Sequence, residues 1–212
     1  MKIKPDYFMI FFIFLIPIVL VASAFLTERY FLAFSIAFLI LSMFPIYLKF
    51  ELKALVSREI VFIATLAAIA AISRVPFAPI PSVQPTTFVI MMSAIILGKE
   101  SGFLIGATAA LVSNMFLGQG PWTPWQMFSW GMIGYTAGIL RHTFIMKHMS
   151  GRLIFGFIWG FLFGWIMNLW FLIGFVRDFS WSAILTTYLA SFYFDLFHAL
   201  SNVFFIYFFS QS

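Results

Sequence analysis

The sequence predicts an all-α integral membrane protein that crosses the bilayer several times. Of its 212 residues, 63% are hydrophobic and only 9% are charged, whereas soluble domains carry about 25% charged residues. The hydrophobic residues form eight runs, most of them close to the ~20 residues that a helix needs to span a bilayer. A transmembrane barrel would show short alternating segments instead. The chain has no Cys, which excludes disulfides and thiolate chemistry.

The eight runs divide into an N-terminal pair and a group of six. We predict helices at about residues 8–26, 30–50, 60–73, 86–97, 103–116, 124–140, 153–176 and 182–209. The first run is longer than the ~7 to 15 apolar residues of a signal peptide and a second run follows at once, so we interpret the pair as a transmembrane hairpin. This accessory hairpin occupies residues 1–57, and the six-helix core occupies residues 58–212. The helix at 86–97 is short for a full span.

The distribution of basic residues predicts cytoplasmic N- and C-termini. With eight spans and this orientation, nine basic residues lie in cytoplasmic segments and three lie outside, as the positive-inside rule favours. The cytoplasmic set is Lys2, Lys4, Lys49, Lys53, Arg58, Lys99, Arg141, Lys147 and Arg152, and the external set is Arg29, Arg74 and Arg177. The net charge of +5 then reflects loops that face anionic lipid, with no nucleic acid as partner.

A loop between the fifth and sixth helices concentrates turn formers and polar groups. Residues 117–126 read Leu-Gly-Gln-Gly-Pro-Trp-Thr-Pro-Trp-Gln, and two glycines with two prolines exclude a continuous helix. Two indoles and several donors and acceptors suit recognition of a partly polar small molecule. The candidate ligand contacts are Gln119, Trp122, Thr123, Trp125 and Gln126. The alternative is a pair of interfacial tryptophans that only anchor the protein in the bilayer.

A second rigid loop is predicted at residues 74–85, where four prolines exclude a regular helix. The predicted topology brings both loops and the turn at Arg177 to the external side, where they would form one mouth. Polar residues in and beside the loops complete the candidate mouth, namely Arg74, Gln84, Thr86 and Asn114.

The last helix carries a polar face near its middle. Asp195, His198 and Asn202 follow one another at i, i+3 and i+7, so they share one side of the helix. A charged side chain at this depth costs roughly 2.5 to 3.5 kcal/mol on insertion scales, so Asp195 should face protein or a wet cavity. Its partners could be His198, Asn202 or Asn168. The cluster could fix helix packing, form the polar floor of a ligand cavity, or relay protons.

The same residues do not amount to an active site. An intramembrane hydrolase needs two carboxylates, an activated nucleophile or a metal site with enough ligands, and Asp195 with His198 falls short. We therefore predict no catalytic residue, no bound metal and no cofactor of the chain's own.

Small residues line several predicted helices. Ala64, Ala68 and Ala71 follow the spacing that lets two helices approach closely in lipid, and Ala67 lies beside them. Glycines at spacing four in the seventh helix, Gly156, Gly160 and Gly164, have the same effect. The alanines either pack within the protein or form a docking face for a separate one.

Several of these motifs together resemble a known family. The alanine helix is followed by Ile-Ser-Arg-Val-Pro at 72–76, Val-Gln-Pro-Thr-Thr at 83–87, Gly-Gln-Gly-Pro-Trp-Thr-Pro-Trp-Gln-Met at 118–127 and Asp-Leu-Phe-His at 195–198. From about residue 58 to the end, the chain resembles the substrate-binding S components of energy-coupling factor (ECF) vitamin transporters. Within that group, the loop at 118–127 looks most similar to the cobalamin type.

The resemblance implies a bacterial cell-membrane protein that captures a vitamin outside the cell and has no ATPase activity. Its partners would be a transmembrane coupling protein and two ATPases that use ATP, with Ala64, Ala67, Ala68 and Ala71 as the docking face. Cobalamin or a related corrinoid is the vitamin that the loop suggests, and another vitamin or precursor is the alternative. A membrane scaffold whose loops bind another protein is the competing class.

Overall fold

The computed structural model describes residues 31–51, 57–176 and 180–210, and these residues form a bundle of helices. The elements in chain order are α1 (Phe31–Glu51), α2 (Ser57–Ile72), a 3₁₀ turn (Val75–Phe77), α3 (Thr86–Leu97), α4 (Lys99–Leu117), α5 (Thr123–Leu140), α6 (Phe144–Lys147), α7 (Met149–Phe175) and α8 (Trp181–Phe209). No strand occurs in these ranges, as the composition predicted. The helix predicted at 8–26 and the turn at Arg177 lie outside the described residues.

The lengths of the helices fit a polytopic membrane protein. Four segments of the described chain are long and apolar enough to cross a bilayer, namely Ser57–Phe77, Lys99–Leu117, Met149–Phe175 and Trp181–Phe209. Helix α3 has only 12 residues, which gives it a length of about 18 Å. The loop at 74–85 precedes α3, so irregular backbone lies beside this short helix and needs protein partners for its polar groups.

Two predicted boundaries differ from the structure. The turn predicted at residues 98–102 is confined to Gly98, whose φ of 95° reverses the chain so that α4 starts at Lys99. Such a φ is readily adopted only by glycine. The hydrophilic connection predicted at 141–152 is also shorter, because it contains α6 and α7 begins at Met149. Met146 in α6 is buried, so an apolar contact organises this connection.

Glycines allow the helices to approach closely in two pairs. A Cβ atom on Gly102 of α4 would lie 2.7 Å from the carbonyl oxygen of Gly134 in α5, closer than real Cβ atoms come. In the second pair, Gly156 and Gly160 of α7 contact Ile206 and Ala199 of α8. The close packing predicted from the spacing of Gly156 and Gly160 is confirmed.

Helix α1 belongs to the same hydrophobic core as the helices that follow it. It packs against α4, α5 and α7 through the buried residues Met43 and Ile46. The ring of Tyr47 meets the ring of Phe103 edge-on at 6.0 Å. Helix α1, which is the described part of the predicted N-terminal hairpin, therefore packs against the core.

The alanines of α2 are divided between two faces. Ala64 and Ala68 are exposed, whereas Ala67 and Ala71 are buried at 2% and 0% exposure. In a helix of 3.6 residues per turn, Ala71 lies between Ala64 and Ala67 around the helix axis, about 20° from the first and 40° from the second. Ala71 therefore lies at the edge of the buried side of α2, and α2 packs against α4. The predicted docking face of four alanines is therefore narrowed to Ala64 and Ala68, since Ala67 and Ala71 face the interior.

Candidate binding site

Arg74 is the centre of a hydrogen-bond network at the start of the loop 74–85. Its Nε donates to Oε1 of Gln84 at 3.0 Å, and its Nη1 donates to Oδ1 of Asn114 at 2.9 Å and to the hydroxyl of Ser113. The guanidinium carbon also lies 4.5 Å from the centre of the Trp130 ring, within the range of a cation–π contact. One side chain therefore connects the loop with α4 and α5.

The network continues from Asn114 into the second predicted loop. Nδ2 of Asn114 donates to Oε1 of Gln126 at 2.7 Å and to Oγ1 of Thr123 at 3.0 Å. Thr123 in turn donates to Oε1 of Gln119 at 2.9 Å. The polar residues singled out in the two loops are thus brought together, as predicted, and part of their hydrogen-bonding capacity is used among themselves.

The loop 74–85 is also attached to α8. The backbone N–H of Gln84 donates to Oγ of Ser201 at 3.0 Å, and the same hydroxyl lies 3.3 Å from the carbonyl oxygen of Gln84. Two residues earlier, Ser82 has a φ of 61°, a left-handed conformation that is uncommon for a residue with a side chain. Such conformations persist where the surrounding structure holds them and cluster at ligand sites.

A second set of polar contacts crosses the bundle below the loop. Nε1 of Trp130 donates to Oγ1 of Thr87 at 3.2 Å, and the same hydroxyl lies 3.1 Å from Nε2 of His198. The ring of Phe163 packs between these groups, 4.8 Å from Trp130 and 4.9 Å from His198 between ring centres. This contact set joins α3, α5, α7 and α8 around two aromatic faces.

Asp195 is buried with 4% of its surface exposed. Oδ2 of its carboxylate accepts a hydrogen bond from Ser191 at 3.1 Å, and Ser191 accepts one from Nδ2 of Asn168 at 2.7 Å. Its other oxygen packs against Gly164, where only a glycine leaves the room. Asn168 is thus the indirect partner that the sequence suggested, whereas His198 binds Thr87 and Asn202 donates to the carbonyl of Gly156.

Two neighbouring cavities lie among these residues. The larger one has a volume of about 360 Å³ and is lined by the loop together with Arg74, Gln84, Gln126, Trp130 and Phe163. The smaller one has a volume of about 220 Å³ and is lined by Asn168, Ser191, Asp195 and His198 among others. Ser82, Gln84 and Phe163 line both. The two cavities therefore adjoin, with the strained residue Ser82 in their shared wall.

The predicted site residues fall into two groups. Six line the cavities, namely Arg74, Gln84, Gln126, Asn168, Asp195 and His198. The other six lie behind the cavity walls or away from them, namely Thr86, Asn114, Gln119, Trp122, Thr123 and Trp125. In this second group Thr86 donates to the carbonyl of Ala70, and Gln119 to that of Leu111.

The two loop tryptophans are among the residues away from the cavities. Trp122 covers Gly120 and meets the ring of Trp170 at 5.9 Å. Trp125 is buried with 3% exposure. Neither indole lines the two cavities described above.

The sequence did not single out Trp130, Phe163, Ser191 or Ser201 as site residues. Trp130 follows Gln126 by four positions, so the two share one face of α5. This spacing is the sequence feature that could have identified Trp130 as a site residue. Phe163 and Ser201 have no comparable signal, because their place in the site depends on which helices become neighbours.

These features define a class of protein: a polytopic helical membrane protein with an internal cavity of mixed aromatic and polar lining, suited to a small molecule. Residues 54–206 match the family model described as ECF-type riboflavin transporter, S component. The match covers well over half of the chain, so the protein belongs to this family of S components. Searches among curated proteins and among solved structures found no significant match.

The family match over residues 54–206 confirms the predicted S component. It does not support the cobalamin type, because the description of the family names a riboflavin transporter. S components are membrane subunits of vitamin transporters that work with an ECF module, which is the class of partner predicted for this chain.

Proposed function

We propose that this protein captures riboflavin or a closely related flavin at the external face of a bacterial cell membrane and delivers it through an ECF module. The match of residues 54–206 to the riboflavin-type S components carries the proposal. The match favours the alternative of another vitamin over cobalamin.

The chemistry of the cavities supports a flavin. The three-ring system of riboflavin is flat and apolar on its faces and carries carbonyl and nitrogen acceptors at one end. The larger cavity is lined by the aromatic rings of Trp130 and Phe163 and by Arg74 and Gln126, whose side chains carry N–H donors. Its size also lies within the ~300 to 1,000 Å³ typical of small-molecule sites.

Cobalamin fits this cavity less well. It has several times as many atoms as riboflavin, whereas the two cavities measure about 360 and 220 Å³. Cobalamin would also need a wide opening, and the loop at 74–85 is fastened across this region by Arg74 and Ser201.

Equilibrium binding to the purified full-length protein tests the proposal. Riboflavin fluorescence should be quenched on addition of the protein, with a dissociation constant well below micromolar, and a vitamin panel that includes cobalamin should not compete. Tight binding of cobalamin beside weak or absent binding of riboflavin would overturn the choice of flavin. Absence of binding for every vitamin would favour the membrane scaffold.

A further inference from the structure

The two adjoining cavities carry opposite charges. The larger cavity contains the guanidinium of Arg74, and the smaller one contains the carboxylate of Asp195. Within the described part of the chain, neither group has an oppositely charged partner: Arg74 donates to Gln84, Ser113 and Asn114, and Asp195 accepts from Ser191. The site is therefore electrically polarised from one cavity to the other.

The carboxylate of Asp195 is held so that it faces its cavity. Gly164 lies directly against one carboxylate oxygen, and Ser191 donates to the other at 3.1 Å. Asn168 donates to Ser191 and so completes a row of three polar side chains along the wall. These groups offer acceptors and an amide to a ligand that brings several hydroxyl groups.

Size and charge together give a flavin one orientation in this site. The ring system would need the larger cavity, which the rings of Trp130 and Phe163 and the guanidinium of Arg74 line. The polyol side chain would then reach toward the smaller cavity, which shares Ser82 and Gln84 with the larger one. This orientation would bring its terminal hydroxyl groups toward Asp195.

We propose that Asp195 is a specificity-determining residue that admits the uncharged polyol end of a flavin and rejects the same flavin when that end carries a phosphate. This inference rests on the proposed function. A phosphate would bring negative charge beside a buried carboxylate, and like charges placed against each other oppose binding. The reverse orientation does not relieve the repulsion, since it would force the ring system into the cavity of about 220 Å³.

The test compares binding of riboflavin and riboflavin 5′-phosphate to the purified full-length protein, its Asp195→Asn variant and a matched Glu59→Gln variant. Glu59 is exposed near the start of α2, so its change removes one negative charge far from the cavities. We expect the unchanged protein to bind riboflavin at least about tenfold more tightly than the phosphate. Asp195→Asn should narrow this ratio about tenfold, and Glu59→Gln should leave it unchanged.

A ligand series on the unchanged protein separates charge from bulk without any variant. Riboflavin 5′-acetate adds a group at the same position without a charge, and we expect it to bind nearly as well as riboflavin. Equal rejection of the acetate and the phosphate would overturn the inference, as would an unchanged ratio in a folded Asp195→Asn variant. Both outcomes leave flavin binding intact, whereas absence of binding for riboflavin itself would overturn the proposed function and this inference with it.

Discussion

The guanidinium of Arg74 lies over the ring of Trp130, with 4.5 Å between its central carbon and the ring centre. Arg74 follows the end of α2 and Trp130 lies in the middle of α5, so this contact connects the loop that covers the site with the wall of the cavity. The planar group can stack on the indole and still donate from its edges to Gln84 and Asn114, a combination that a lysine cannot reproduce.

Replacing Arg74 by Lys should therefore weaken ligand binding although the charge is kept. Loss of the forked donor separates the loop from α4, and we expect the dissociation constant for riboflavin to rise about tenfold, which corresponds to ~1.4 kcal/mol. Fluorescence titration of the purified variant measures the change. Arg58→Lys is the control, because Arg58 is exposed near the start of α2. If the Arg74→Lys variant binds riboflavin within twofold of the unchanged protein, the forked guanidinium of Arg74 is not needed for binding.

The hydroxyl of Ser201 fastens the loop 74–85 to α8 through the backbone of Gln84. Replacing Ser201 by Ala should cost about 1 kcal/mol of local stability and accelerate amide hydrogen exchange at Gln84 about fivefold. Exchange followed by mass spectrometry on the ligand-free protein detects this. Ser93→Ala is a matched control, since its buried hydroxyl donates to the carbonyl of Val89 in its own helix. Equal exchange in both variants would show that Ser201 does not hold the loop.

The division of the alanines in α2 predicts two different outcomes for one type of substitution. Leu at the exposed positions Ala64 and Ala68 should lower uptake into cells at least about tenfold by blocking close approach of a partner helix, while riboflavin binding stays intact. Leu at the buried Ala71 should instead overpack the interior and destabilise the protein by about 1 to 3 kcal/mol. Uptake and melting temperature in detergent are the two measurements.

A control for the docking face lies on another helix. Ala190→Leu adds the same bulk at an exposed position of α8 and should change neither uptake nor melting temperature. If Ala64→Leu with Ala68→Leu leaves uptake intact, the docking face lies elsewhere.

The absence of cysteine makes the predicted topology accessible to labelling. Ala78 in the loop 74–85 and Lys147 in α6 are both exposed, so each can be replaced by a single cysteine that a reagent can reach. With cytoplasmic termini, a membrane-impermeant maleimide should label Ala78→Cys in whole cells and Lys147→Cys only after lysis. Labelling with the opposite preference would invert the topology and remove the external mouth.

Much of the fold follows from local sequence. Long apolar runs of spanning length predicted the helices, because unpaired backbone groups are too costly in lipid for other structures. Glycine spacing predicted the contact of α7 with α8, where Gly160 meets Ala199. The early start of α4 escaped prediction, because the whole reversal is made by the single φ of Gly98.

The candidate site was predicted less completely. Proline content identified the loop 74–85, and helical spacing placed Asp195 and His198 on one face. The loop at 117–126 was expected to supply the aromatic surface, yet Trp125 is buried away from the cavities and Trp130 and Phe163 line the larger one. Trp125 and Trp130 both lie in α5, and the sequence does not show which of the two faces the cavity until the neighbouring helices are known.

By itself, the sequence determined that this protein is helical, that it lies in a membrane, where its rigid loops fall and which family it belongs to. These properties depend on composition, on the spacing of apolar residues and on short motifs, and each of these can be read from a single segment of the chain. Only the tertiary structure decided that Ser191 rather than His198 bonds to Asp195, that Trp130 lies under Arg74, and that Ala67 and Ala71 face inward while Ala64 and Ala68 face outward. The last two relationships depend on the rotation of one helix against another, which is set by the packing of the whole bundle. Ser191 and Asp195 lie four positions apart on α8, and their bond depends on how α7 packs against the carboxylate of Asp195.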